Sequence, residues 1–230
     1  MPLQDHFHPP LSESRHWHAF HNSWATYLSS RLNALLPEGY FAEANVQYDV
    51  KIDVAPFEEA VAANLPIVWV PPQPQASLPL ELSGAVVEVG VFSQSGGPIL
   101  AGAIELVSPA NKDRPSNREA LLSKCVAYLQ AGVGLVLVDV VTERTADFYR
   151  ELLLRLGVED PGPGPTLSGS AFRRVVRDGD GVLDVWREPI VVGRPLPTLP
   201  LWLRGGLCLP IELEATYERT CVEQRVQPAA

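Results

Sequence analysis

A strand, a polar loop, a helix and a second strand follow one another between Ala103 and Val141, and no other stretch constrains the fold as much. Ala103 to Val107 is apolar except at Glu105. Pro115-Ser116 then opens a helix whose apolar face is Leu121, Leu122, Cys125, Val126 and Leu129, and Gly132 and Gly134 end it. Leu135 to Val141 is apolar except at Asp139. Two strands joined by a helical crossover run parallel by default. A near-continuous apolar run predicts that the second strand is central and covered on both faces.

Glu105 is the chemical oddity of this unit. A carboxylate inside an apolar strand needs a partner or a task. The loop adds Asn111, Lys112 and Asp113, and the helix adds Lys124 on the flank of its apolar face, beside Tyr128. Lys124 either leans over the end of the sheet toward Glu105 or is a solvated flank residue; its spacing allows both. Of eighteen basic residues, only Lys51, Lys112 and Lys124 are lysines. Each falls near one of these carboxylates, where a compact, shiftable ammonium has a use that arginine lacks, although chance usage gives the same pattern.

The rest of the chain supplies the partners for this unit. Ser14 is a plausible N-cap for a helix reaching Leu36, with Trp17, Phe20, Trp24, Leu28, Leu32 and Leu35 on one face. Tyr40 to Val54 reads as two strands. In the second, Tyr48, Val50, Ile52 and Val54 alternate with Gln47, Asp49, Lys51 and Asp53, so Lys51 and Asp53 share a side, as they would on any exposed strand face. A short helical turn is expected over 55–63 and a short strand over 66–70. Ala85 to Phe92, which carries Glu88, forms a hairpin with Ile99 to Val107 through Gly96-Gly97, and Ala101, Ala103 and Glu105 share a face. A helix follows over 145–156, and then a hairpin around Asp178-Gly179-Asp180-Gly181. Asp178, Asp180 and Asp184 lack the spacing and closing Glu of a calcium loop. Pro195, Pro197 and Pro200 impose an extended edge, and a helix closes the chain from Ile211 to about Glu223. The fold class expected is α/β with a mixed (α+β) sheet: residues 1–14 as an irregular arm and 15–230 as a single domain ending in an extra hairpin and helix.

Composition narrows the function. A net charge of -9 argues against broad, non-specific affinity for nucleic acid but not against a local basic groove. No apolar run approaches the length of a membrane helix, and Asp5, His6 and His8 stand where a secretory signal would be apolar. Three cysteines without paired spacing point to neither disulfides nor a Cys zinc site, so a reduced, cytoplasmic protein is expected. All five histidines lie in the first 21 residues. They could mark zinc, but His21 lies on the apolar stripe of its helix and reads as a core histidine satisfied by hydrogen bonds.

The run Ile104-Glu105-Leu106-Val107-Ser108-Pro109-Ala110-Asn111-Lys112 resembles the "IEVLSPANK" signature of the bacterial domain-of-unknown-function family 4058. Phe20-His21-Asn22 is similar to its early "FHN", Leu135 to Val140 to its "LVEIDL" strand, and Leu196 to Leu201 to its "LPTIPI", which is followed by a Tyr-bearing helix, here Tyr217. Lys124 matches the family's helix lysine, after Arg118. The resemblance spans Trp17 to Val226. That family is distantly similar to the PD-(D/E)XK nuclease superfamily, which implies a restriction-endonuclease-like core of helix, strands, helix and strand. It further implies that Asp53 and Glu105 hold Mg²⁺ while Lys124 acts with them in phosphodiester hydrolysis of nucleic acid, supported by Glu88, Asn111 and Lys112. The chain departs from the superfamily pattern at Val107, where the usual lysine would stand, at Ile52, where a proline would, and at Leu137 and Gly90. The alternative is a non-catalytic binding or assembly module on the same scaffold, in which Lys124 only neutralises Glu105 and Trp186 and Trp202 are exposed for an interface. A homodimer is the expected form if the chain self-associates.

Overall fold

In the computed structural model, the described residues are 1–48, 50–58, 69–80, 99–159, 162 and 164–227; for 46–48, 50, 51 and 58 the description covers the backbone alone. Among them, eight strands form one mixed sheet. Its order is β1 (Tyr40–Tyr48), β2 (Val50–Glu58), β5 (Gly102–Leu106), β6 (Gly134–Asp139), β7 (Ser168–Arg177), β8 (Asp180–Pro189) and β3 (Ala76–Pro79), with β4 (Ile99–Leu100) also pairing β2. β5 and β6 are parallel, with Glu105 opposite Leu137, and the other pairings are antiparallel. The crossover between them carries two helices, α3 (Pro109–Asp113) and α4 (Pro115–Gln130).

Every residue of β6 is buried. Val136 and Val138 face a core shared with α2 (Trp17–Asn33), α6 (Leu213–Glu223) and a separate hairpin of β9 (Thr198–Trp202) with β10 (Cys208–Glu212). Leu135 and Leu137 face a second core filled by Leu121, Leu122, Cys125 and Leu129 of α4 and by Leu152 and Leu153 of α5 (Phe148–Arg155). The apolar run therefore serves two layers at once, as such runs do in doubly covered sheets.

Several boundaries differ from expectation. Ser14 ends a one-turn helix, α1 (Leu11–Ser14), and its hydroxyl donates back to the Pro10 and Leu11 carbonyls at 3.3 Å each. It therefore caps nothing, and α2 begins at Trp17. At the other end the Asn33 side chain exchanges two 2.8 Å hydrogen bonds with the Ala42 backbone, tying the helix to β1 and ending it before Leu36. Residues 55–58 are strand, because β2 pairs with β1 along its whole length. Ala101 packs in the first core and Ala103 in the second, so they do not share a face. Trp186 is buried, not exposed: it lies in the first core and donates to the Pro72 carbonyl at 2.9 Å, while Trp202 is half-buried under Arg173. Of the strand expected over 66–70, residues 66–68 lie outside the described residues and 69–70 are not strand, and the strand expected over 85–92 lies outside the described residues.

Candidate functional site

The end of β5 is where the layers open. β2 and β5 are registered only at Val54↔Ile104, and one step further the ladder gives way to side chains. Asp53 Oδ2 accepts the Leu106 N–H at 2.9 Å, replacing the missing strand partner. His21, one turn into α2, places Nε2 3.1 Å from the Leu106 carbonyl and 3.5 Å from Asp53 Oδ2. A carbonyl only accepts, so Nε2 carries the hydrogen. Two side chains from distant segments thus hold both polar groups of a single peptide residue. Opposite Asn45 (φ 55), β2 also changes the face its side chains serve: Ile52 packs in the second core and Val54 in the first.

On the α4 side of the sheet, Glu105 is 2% exposed and accepts a 2.6 Å bond from Lys124 Nζ on its Oε2. Its Oε1 is buried without a well-formed hydrogen bond, and the Tyr128 hydroxyl lies beside the same carboxyl, which helps it hold its proton. Burial pushes the Glu105 carboxyl up to about 7, because desolvation and the neighbouring Asp53 charge together outweigh the Lys124 cation. Burial acts on Asp53 in the same direction, yet the His21 contact, the Leu106 N–H and the Lys124 charge hold it below the ordinary carboxylate range. Two carboxyls on adjacent strands are therefore driven apart in proton affinity, an arrangement that suits a site able to hold charge and a proton together.

Asp53, Glu105, Lys124 and His21 line one cavity of about 570 Å³, walled by Trp17 and His18 at the start of α2 and by Asn111 and Asn117 beside α4. Of the residues expected at the site, Asp53, Glu105, Lys124 and Asn111 come together here. Asn111 is held by its own turn, its Oδ1 accepting from the Ser108 N–H at 2.9 Å and the Ser108 hydroxyl at 2.7 Å. Lys112 does not reach the cavity. Fully buried, it pairs with Asp139 Oδ2 at 2.8 Å and donates to the Val141 and Arg144 carbonyls. Glu88 lies outside the described residues. Sequence reading placed His21 in the core and missed that it also faces the site; only the contact with β5, invisible to helical periodicity, distinguishes the two.

The donor set fits a hard divalent cation in part. Glu105 Oε1 is an orphaned buried oxygen, and the contacts of Asp53 fall on Oδ2. Among the described residues, however, no three His, Cys, Asp or Glu side chains are grouped closely enough to hold a metal ion, and that includes the N-terminal histidines. His6 is packed against Phe20 and bonded to the Tyr217 hydroxyl at 2.8 Å, and His8 is paired with Asp5. An ion here would rest on two carboxylates and complete its shell with water and ligand oxygens, as Mg²⁺ commonly does. No family description matches the chain, and neither the curated proteins nor the solved structures contain a match to it.

Proposed function

We propose that the chain is a Mg²⁺-dependent phosphodiesterase of the nuclease kind, acting on nucleic acid, with Asp53 and Glu105 as the carboxylates that hold the ion. The observation that carries this reading is the convergence of Asp53, Glu105 and Lys124, from three separate elements, on one cavity. The element order adds support: helix α2, the antiparallel run β1–β2–β5, helix α4 and a parallel β6 follow the layout expected of a restriction-endonuclease-like core. Three buried free thiols are in keeping with a cytoplasmic protein.

Within this reading each residue has a task. The bound ion supplies positive charge that polarises a phosphoryl oxygen. Glu105 would hold the ion as a carboxylate, and because burial pushes its carboxyl up to about 7, binding would strengthen as pH rises through that value. Lys124, which bonds Glu105 in the structure, would offer its ammonium to the charge that grows on the phosphate. His21 fixes Asp53 and the end of β5, keeping the two carboxylates in place.

Calorimetric titration of Mg²⁺ or Mn²⁺ into the wild type and Glu105→Ala tests this directly. Binding in the wild type that is lost in the variant, followed by metal-dependent cleavage of DNA or RNA, is the expected result. No binding in the wild type overturns it. The second reading, a binding or assembly module on the same scaffold, draws on one specific observation. Both carboxylates already have structural partners, Glu105 in Lys124 and Asp53 in the Leu106 N–H.

A further inference from the structure

At the other end of the β5–β6 pair lies a cavity of about 390 Å³ that shares no lining residue with the site above. Its walls come from β7 (Arg173 and Arg174), from the tip of the β9–β10 hairpin (Arg204, Gly205 and Gly206) and from Trp202. Three guanidinium groups line it and no carboxylate does, in a chain whose net charge is -9.

The cavity exists because Gly134 lets two backbones touch. A Cβ at that position would stand 1.8 Å from the Trp202 carbonyl oxygen, so only glycine allows the hairpin to close against the start of β6. Closure brings Arg204 over the end of β7. Gly205 and Gly206, at φ 84 and 96, turn the hairpin tip without laying a side chain across the opening.

The three arginines are not equally occupied. Arg174 donates to the Gln130 carbonyl at the C-terminal end of α4, where a cation meets the negative end of the helix. The Arg173 guanidinium lies 3.6 Å above the Trp202 ring, and neither it nor Arg204 has an ion pair or side-chain hydrogen bond among the described residues. Burial lowers the proton affinity of Arg173 and the Asp184 charge on the neighbouring strand only partly offsets it, because that carboxylate is itself paired with Arg177. Stacking on tryptophan satisfies the face of the guanidinium and leaves its five N–H donors pointing outward in its own plane, the edge that grips a tetrahedral oxyanion two donors at a time.

We propose that this cavity binds the phosphate group of a small ligand, with Arg173 and Arg204 as its principal cations and Arg174 at its margin. The site is independent of the metal-dependent reading above, and its size suits a ligand no larger than a mononucleotide.

Calorimetry on the full chain in EDTA, with inorganic phosphate and a nucleoside monophosphate as titrants against chloride of equal ionic strength, tests the proposal. Saturable binding is expected, weakened about tenfold in Arg204→Ala and further in Arg173→Gln, and unchanged in Lys124→Ala. Tighter binding of the ester identifies an esterified phosphate, and equal affinity identifies the free anion; both support the site. Arg204 is exposed, so its variant keeps the proposal testable even if loss of Arg173 unsettles Trp202. Heat no greater than with chloride overturns the proposal. So does loss of binding in Lys124→Ala but not in Arg204→Ala, which would seat the anion in the other cavity. Binding only to a long oligonucleotide also overturns it, since the recognised feature would then be a polymer.

Discussion

Replacing Glu105 by glutamine keeps the size of the side chain and removes its titration. In the folded chain this carboxyl is pushed up to about 7, against an ordinary value of 4.5. Between those values the folded state binds the proton more tightly than the unfolded one, so stability falls as pH rises from 4.5 and levels off above 7. For a single group, the difference between the two binding curves at pH 5 and pH 8 comes to about 2–3 kcal/mol. Other titrating groups are common to both proteins and cancel in the comparison. Urea unfolding of wild type and Glu105→Gln at pH 5, 6, 7 and 8 should therefore show the variant gaining about 2–3 kcal/mol on the wild type across that range. Lys124 is near solvent at the cavity and can turn toward it when the carboxylate is gone. A difference that does not change with pH, or that moves the other way, would refute the reasoning. The opposite slope would mean that the Lys124 cation outweighs burial and that the pair is ionised throughout the neutral range.

Three further outcomes follow from the same geometry. Lys112→Met leaves the buried Asp139 without its cation and two carbonyls without a donor, and should cost about 3–5 kcal/mol in urea unfolding. His6, which burial pushes from 6.5 to about 4, should keep the chemical shifts of a neutral ring in a proton NMR titration until well below pH 5. Because its folded value is depressed, the stability it contributes is complete above 6.5 and is lost as pH falls toward 4, a slope that His6→Gln should remove. Gly134→Ala forces a Cβ into the Trp202 carbonyl and should prevent the β9–β10 hairpin from docking, read as a large fall in thermal unfolding temperature. Gly132→Ala, with open space around it but φ +75, should cost only about 1 kcal/mol.

Much of the arrangement was legible in the chain because it depends on local pattern. The strand, helix and strand from Ala103 to Val141 announce a parallel pair, and a lone carboxylate in an apolar strand announces a buried partner, here Lys124. Lys124 could be placed only on a flank; whether it reached Glu105 depended on how far α4 tilts over the sheet, which no periodicity records. Lys112 was misread for a related reason. As a loop residue it should be free to join the site, but α3 turns it under the sheet toward Asp139, and only a three-dimensional path shows which of two buried carboxylates it meets. The start of α2 was misplaced because Ser14, a good cap by type, spends its hydroxyl on the turn before it. β10 went unseen because Pro210 lies in the middle of it, where it is tolerated in a two-stranded hairpin.

The two lysine–carboxylate pairs bear on which structures the chain can avoid. β5 and β6 present Glu105 and Asp139 on the same face of the sheet, and the crossover answers each with its own lysine, twelve residues apart. The apolar stripe of α4 would tolerate a slide by one turn, about 5.4 Å, since leucine can stand in for leucine. The charges would not. The same slide parts Lys124 from Glu105 and drags on Lys112 through the short connection between α3 and α4, leaving two anions in the interior without cations. The pairs thus act as an address written in charge: they add little to the depth of the native basin and raise the neighbouring ones, so a helix that could rest in several positions rests in one.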